Sequence, residues 1–230
     1  MLILSLDTTA RSGSVAIVRD GHLLDEHVGD AALTHAQRLP GDLIEVCRAA
    51  GIAIADVDLF AVAAGPGSFT GLRVGIATVQ GLAMARGRRV VPVSTLEAIA
   101  ASAPGGARRI AAWMDAQRGE VFAQVFERDG LPRPVTDAIS AIAPAAIDLQ
   151  RSALAGAEFH GDGALRYREQ IVTALGSAVR IAGTAPPLAA AIAMIAAGRA
   201  DRAVLPHAIV PIYVRRPDAE IARDRRLGRT

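Results

Sequence analysis

Lysine is absent from this chain, and all 25 basic residues are arginine. That excludes every chemistry needing a lysine, including the phosphate-binding lysine of a P-loop and a Schiff-base amine. Aromatic residues are scarce, at 3%, so the core has to be built from Ala, Val, Leu and Ile. A single cysteine, Cys47, rules out an internal disulfide and a cysteine zinc site. It lies in a helical pattern, where a small buried hydrophobe is expected, and a reducing compartment fits. No apolar run reaches membrane-spanning length, since Ala185 to Ala197 is short and interrupted by prolines. Net charge is also small, at a formal +2. The pI of 9.3 owes much to the high pKa of arginine, so no strong nucleic-acid affinity follows from it. Met1-Leu2-Ile3-Leu4-Ser5-Leu6-Asp7 has no basic n-region and meets an aspartate too early for a signal peptide. A soluble cytoplasmic protein without membrane contact is expected.

What is present alternates between strand and helix patterns. Leu2 to Leu6, Gly13 to Val18 and Leu23 to Val28 predict a three-stranded meander with Asp20-Gly21 as the hairpin signal. Thr34 is a candidate N-cap for a helix carrying Leu39, Leu43, Val46 and Cys47 on one face and ending at Gly51; Pro40 implies a kink or a later start. Leu59 to Ala64 predicts a buried strand, Gly71 to Ala85 a helix and Val90 to Val93 a further strand. Pro104-Gly105-Gly106 is the best linker candidate. Beyond it the pattern partly repeats. Ile110 to Asp115 is an apolar strand ending in aspartate, Glu120 to Glu127 alternates, and Asp129-Gly130 turns it, which suggests a duplicated architecture. Helices are expected near Pro144 to Leu154 and Pro187 to Ala197, with Gly161-Asp162-Gly163 as a loop between them.

The richest segment is Gly65-Pro66-Gly67-Ser68-Phe69-Thr70-Gly71, which joins a strand to a helix. Its glycines permit close backbone approach, and the first-turn N–H groups of the helix lack internal partners, so Gly65, Gly67 and Ser68 are candidate phosphate contacts. A tight connection with no ligand is the other reading. Asp7, Thr8 and Thr9 have the form of an aspartate with hydroxyl neighbours that could hold a metal-bound water and phosphate oxygens, and Asp115 could face them across a cleft. Both aspartates could equally be satisfying turns at strand ends. The five histidines, His22, His27, His35, His160 and His207, show no metal-binding spacing, and Ser68 has no evident base nearby. No catalytic residue and no metal ligand is assigned.

The helix after the loop has a small-residue surface, from Gly71, Gly75, Ala77, Thr78, Gly81, Ala83 and Ala85. Glycines inside a helix cost about 1 kcal/mol each relative to alanine, so close approach by another helix is expected, from this chain or from another subunit. Arg73 and Gln80 on the same stripe lean toward a polar-rimmed interface. Near the C-terminus, Arg215, Arg216, Arg223, Arg225, Arg226 and Arg229 alternate with Asp218, Glu220 and Asp224. That tail could meet RNA phosphates or form a solvated helix face.

Leu4-Ser5-Leu6-Asp7-Thr8-Thr9, His35-Ala36-Gln37-Arg38-Leu39 and above all Gly65-Pro66-Gly67-Ser68-Phe69-Thr70-Gly71-Leu72-Arg73-Val74-Gly75 resemble the bacterial TsaB (YeaZ) family. The resemblance continues through Asp115-Ala116-Gln117-Arg118-Gly119-Glu120, Gly161-Asp162-Gly163 and Pro211-Ile212-Tyr213-Val214-Arg215, across nearly the whole chain. It implies a two-lobed α/β fold of the actin and hexokinase (ASKHA) type, made of duplicated ribonuclease-H-like domains with mixed sheets flanked by helices. The first lobe would be 1–104, rejoined by a C-terminal helix at about 207–230, and the second 105–206. The family also implies a non-catalytic subunit working with TsaD and the ATPase TsaE to transfer a threonylcarbamoyl group to N6 of the adenosine beside the tRNA anticodon. ATP would enter through TsaE and a metal through TsaD, with no cofactor bound by this chain and tRNA contacted weakly or indirectly.

The catalytic paralogue carries its metal histidines in a Val-Asn-His-Met-Glu-Gly-His segment. Here Val93-Ser94-Thr95-Leu96-Glu97-Ala98-Ile99 stands in its place, with Thr95 and Ile99 for the two histidines. The resemblance further implies that Gly71, Arg73, Val74, Gly75, Thr78, Gly81 and Leu82 form the surface that pairs with TsaD, or with a second copy in a homodimer. An independent nucleotide-binding phosphotransferase or a glycoprotease-type metallopeptidase is the alternative. Departures from the family pattern are Pro40, Gly41 and Gln117.

Overall fold

Alternating apolar residues that stop at a turn signal build the first sheet. β1 (Leu2–Asp7), β2 (Ser14–Arg19) and β3 (His22–Val28) form the expected antiparallel meander. Asp20 and Gly21 both take positive φ, 50° and 80°, the conformation that a two-residue Asp-Gly hairpin requires. The structure, a computed structural model, describes residues 1–215 and residue 223. Further along come α1 (His35–Ala49), β4 (Leu59–Gly65), α2 (Phe69–Ala85), β5 (Val90–Ser94) and α3 (Thr95–Ser102). The second half holds β6 (Arg109–Asp115), β7 (Glu120–Arg128), β8 (Pro132–Pro134), β9 (Ile139–Ile142), α4 (Ala143–Gln150), β10 (Glu158–His160), α5 (Asp162–Arg166), α6 (Arg168–Leu175), β11 (Arg180–Ile181) and α7 (Ala189–Ala197).

The first sheet has the order β3-β2-β1-β4-β5, with β4 parallel to β1 and β5 parallel to β4. The second runs β11-β10-β6-β7-β8, with β9 also on β7, and β10 parallel to β6. Read from β6, it repeats the first: an antiparallel hairpin partner on one side, two parallel strands on the other. The duplication expected from the strand-aspartate echo is therefore a repeat of topology. Asp7 and Asp115 end corresponding strands, and the Gly65-Pro66-Gly67 junction after β4 corresponds to Gly161-Asp162-Gly163 after β10.

Three apolar clusters explain the layering. Leu4, Val15, Leu39, Phe60 and Val79 join α1 and α2 to one face of the first sheet. Trp113, Val125, Ile147, Phe159 and Ile171 join α4 and α6 to the outer face of the second. Between the sheets, Ile3, Leu96, Ile99, Ile110, Phe126, Ile192 and Ile195 make one continuous core around α3 and α7. A fully buried Leu, Ile or Phe contributes roughly 1.5–3 kcal/mol, so this middle layer binds the lobes strongly. Arg199, just past α7, also holds Glu97 of α3 by two hydrogen bonds, one of 2.9 Å, with Glu97 buried.

Several expectations are corrected. α1 starts at His35 and passes through Pro40, so there is no later start; Pro40 is on the exposed face, and the Thr34 N–H donates to Gln37 Oε1 at 3.0 Å to close the entry. The helix after Pro144 ends at Gln150, and Gly161-Asp162-Gly163 is the strand-to-helix junction that opens α5 rather than a plain loop. The chain returns to the first lobe at α7, well before 207. Ser5 Oγ donates to Ala189 O at 2.6 Å, and Ala189 N donates to Ser14 Oγ at 3.0 Å. The segment after α7 then crosses the first lobe, with Val204 bridged to Val90 and Ile212 N donating to Ala64 O at 2.7 Å. A helix over about 207–230 falls largely outside the described residues, although Pro206–Ala208 is a single 3₁₀ turn.

Candidate functional site

Where the strand ends of the two lobes meet, β1 and β6 deliver Asp7 and Asp115 to a cleft. Two cavities open there. One of about 330 Å³ is lined by Asp7, Ile99, Met114, His160, Asp162 and the turn before α7. The other, of about 560 Å³, lies between Thr9, His35, Ser68, Thr70 and Gly71 of the first lobe and Asp115, Gln117 and Asp162 of the second.

Asp7 is buried, and its Oδ1 accepts from Thr9 N at 2.8 Å and Thr9 Oγ1 at 2.6 Å. Burial pushes its carboxyl above the ordinary aspartate value, against the pull of those two hydrogen bonds. The Asp162 charge adds to the upward push, and Arg38 opposes it. Thr8 is wholly buried and donates its hydroxyl to Gly71 O at 2.8 Å, so it holds α2 to β1 instead of facing the cleft.

The glycine junction serves this same contact. A Cβ on Gly67 would sit 2.5 Å from Thr9 Cβ, and one on Gly65, whose φ is 114°, would meet Ile212 O. Ser68 N donates to Thr9 O at 3.0 Å, and Ser68 Oγ accepts from Gly71 N at 3.2 Å as the N-cap of α2. Two donors that a phosphate would need are thus already engaged within the chain.

Across the cleft, Asp115 is tied into its own lobe. It accepts from Gln117 N at 3.1 Å and Arg166 Nη1 at 3.1 Å, and from the Tyr167 hydroxyl at 3.3 Å. Asp162 stands nearer to Asp7 electrostatically. Its Oδ1 accepts from Asp115 N at 3.0 Å and Gly163 N at 2.8 Å. Although the residue opens onto the cleft, the protein crowding its carboxyl and the neighbouring Asp115 charge push it above the usual range. His160 is buried at the end of β10 with Nε2 3.5 Å from Glu158 Oε2, and desolvation lowers its imidazole. Neither Asp162 nor His160 was picked out as a site residue from sequence. The internal repeat held the signal, because the counterpart of Gly65-Pro66-Gly67 is Gly161-Asp162-Gly163. Both glycines are needed there, since a Cβ on Gly163 would lie 2.8 Å from Met114 C, and one on Gly161 would strike Trp113 O.

A second polar group lies behind the cleft. Arg38 is buried against Asp42, and it donates to Ser12 O and to His35 Nδ1, the last at 2.7 Å. His27 Nε2 is 3.3 Å from Asp42 Oδ1 on its other side. Gly29 leaves room for the guanidinium, which any side chain there would overlap.

At the positions of the paralogue's metal histidines, Thr95 is fully buried and Ile99 is a hydrocarbon wall of the smaller cavity. Those residues do not fit a metal ion.

The helix α2 divides the expected partner surface in two. Gly71 and Gly75 are buried, and a Cβ at either would run into Thr8, the residue that follows β1. The close approach that offsets these helical glycines is therefore made within the same chain, by the turn that follows β1, which corrects their placement on an outer stripe. Gln80 also turns inward, donating to Pro206 O at 2.9 Å. Arg73, Ala77, Gly81 and Met84 are exposed and Val74, Thr78 and Leu82 half-buried. The Arg73 guanidinium lies 3.9 Å over the Phe69 ring, which is 5.5 Å from the half-exposed Tyr213 ring. With Val210 and Ile212 exposed nearby in sequence, α2 and the C-terminal crossing carry large apolar side chains to the surface. Arg215 of the basic tail is bound to Glu120 Oε2 at 2.9 Å. Arg216, Asp218, Glu220, Asp224, Arg225, Arg226 and Arg229 lie outside the described residues. Among the described residues, no helix is long and apolar enough to cross a membrane.

The model of the family described as TsaD, tRNA N6-adenosine threonylcarbamoyltransferase, matches residues 29–223. The chain is 37% identical over 131 residues to the tRNA threonylcarbamoyladenosine biosynthesis protein TsaB of Escherichia coli, covering 56% of each protein. A similar TsaB of Haemophilus influenzae is matched over 52% of its length, so these two alignments span about half of each relative. To the TsaB of Bacillus subtilis it is 26% identical over 224 residues, 96% of each chain. The solved structure of YeaZ from Pseudomonas aeruginosa superposes with a TM-score of 0.76 at 30% identity, covering 92% of this chain and 99% of that one. The two-sheet architecture and the extent of these matches agree, and the chain belongs to the TsaB (YeaZ) family, within the wider TsaD-type family.

Proposed function

We propose that this protein takes part in tRNA threonylcarbamoyladenosine biosynthesis as a non-catalytic partner subunit. In this reading it pairs with the catalytic paralogue TsaD, with TsaE as the ATPase, for transfer of a threonylcarbamoyl group to N6 of the adenosine beside the anticodon. The observation that carries the reading is Ile99. It walls the cavity beside Asp7 and Asp162 where the paralogue needs a metal-ligating histidine, and the second histidine position is a buried threonine. A cleft that retains two carboxylates but lacks those ligands supports a role exercised through surfaces. The exposed part of α2, Arg73, Ala77, Gly81 and Met84 with Val74, Thr78 and Leu82 beside them, supplies the pairing face. It combines an arginine-aromatic stack with small residues that admit a partner helix at close range. In the absence of that partner the same face would support a homodimer.

Reconstitution tests the reading. TsaD and TsaE with ATP, threonine-derived adenylate and unmodified tRNA should form modified adenosine only when this protein is added, and this protein alone should form none. Modification by this protein without TsaD would overturn the proposal. So would full activity of TsaD and TsaE without it.

A further inference from the structure

At the end of the second lobe remote from Asp115, the first residues of β6 and the last of β7 enclose a basic cavity of about 590 Å³ with β8. Its wall carries Arg108, Arg109, Arg128 and Arg133 against two acids, Glu127 and Asp129. In a chain whose formal charge is only +2, this is a local concentration of positive charge. Two of the four guanidiniums, those of Arg109 and Arg128, are tied down by the fold, and Arg133 is largely exposed with one contact to a carboxylate. Arg128 donates to the carbonyls of Ala103 and Pro104, the latter at 2.9 Å, which clamps it to the linker between α3 and β6. Arg109 and Arg133 share the Glu127 carboxylate at 2.6 and 3.1 Å. That carboxyl is held below its ordinary range by the two arginines. Arg108 is exposed, and its guanidinium has no partner among the described residues.

We propose that this cavity binds the phosphate backbone of an RNA strand. Taking tRNA as that RNA rests on the function proposed above. Each fixed guanidinium still has N–H donors to offer, in a planar fork that matches two phosphate oxygens. Because Arg109 and Arg128 are held before binding, little of their side-chain entropy is lost when phosphates arrive. Among the described residues no aromatic side chain lines the cavity, so contacts go to the backbone and carry no base preference. Nor, among the described residues, does a glycine loop or helix N-terminus line it, which sets it apart from a pocket built for a nucleotide triphosphate.

The test is fluorescence-anisotropy binding of a labelled tRNA transcript to the full-length protein over a range of salt. Wild type is compared with Arg108→Glu/Arg133→Glu and with Arg19→Glu/Arg202→Glu, a pair of exposed arginines elsewhere that imposes the same charge change. The cavity variant should weaken binding about tenfold or more and flatten the salt dependence by about one to two in log–log slope, with the control close to wild type. Arg108→Ala, which breaks no contact in the protein, should show part of the effect and guards against a folding artefact. An unlabelled homopolymer RNA should compete, while inorganic phosphate and ATP at millimolar concentration should not. Equal losses in both double variants, or no loss in either, would overturn the proposal, and competition by ATP alone would reassign the cavity to a small anion. The assay needs neither TsaD nor modification activity. RNA binding lost in the cavity variant would therefore stand even if reconstitution failed, and failed RNA binding would leave the subunit role intact.

Discussion

Single residues in this cleft are held against their solvation preferences, and Asp7 shows it most clearly. A carboxyl whose native pKa is raised keeps its proton in the folded state at pH values where the unfolded chain has lost it. Folding stability therefore declines as pH rises from the ordinary aspartate range through the raised native value, and levels off above it. Asp162 and Glu26, both raised chiefly by burial, act in the same direction. Asp7→Asn keeps an acceptor for Thr9 N and Thr9 Oγ1 without the buried charge. It should be more stable than wild type at neutral pH and less dependent on pH, as measured by urea midpoints across pH 4 to 8. Unchanged midpoints would mean that the Asp7 charge is not strained. Gly75 tests the opposite kind of constraint. Since a Cβ there strikes Thr8, Gly75→Ala should destabilise by about 1–3 kcal/mol despite alanine's better helix propensity. Gly81→Ala, in open space, should stabilise by a few tenths to about 1 kcal/mol.

Among the elements, those with a full period of pattern were legible in the sequence. β1 to β7 and helices α1, α2, α4 and α7 follow from alternation, turn pairs and apolar spacing. α3, α5, α6 and strands β8 to β11 were not anticipated as such. β8 and β11 are short, with Pro132 and Pro134 in one and two residues in the other. α3 is apolar and small on nearly every side because it lies between two sheets, so it has no amphipathic stripe to read. Gly161-Asp162-Gly163 looked like a loop because its glycines serve close packing on Trp113 and Met114, which only the folded chain reveals. The glycines of α2 predicted close approach by another helix, whereas what approaches is Thr8 in the turn after β1, which the sequence could not say. α3 and α7 also carry a prediction. Glu97→Gln removes the charge from a partly buried ion pair and leaves Arg199 one acceptor oxygen, so it should cost about 1–3 kcal/mol in denaturant unfolding. A loss below 1 kcal/mol would show that the two helices are held by apolar packing alone.

For the molecule as a whole, duplication explains what the site became. Two equivalent strands bring Asp7 and Asp115 to one cleft, and two equivalent junctions bring Gly65-Pro66-Gly67 and Gly161-Asp162-Gly163. Internal hydrogen bonds to Thr8, Thr9, Gln117, Arg166 and Tyr167 then occupy several groups that a ligand would use. With Ile99 in the cavity wall, the proposed subunit role depends on the exposed face of α2. Light-scattering gel filtration of this protein mixed with TsaD tests that most directly, comparing wild type with Ala77→Glu/Gly81→Glu. Both substitutions point into open solvent and avoid the buried Gly75. The account predicts a one-to-one complex for wild type, lost in a variant whose circular dichroism and melting remain those of the parent. No complex for wild type, or one that the variant forms equally well, would contradict it.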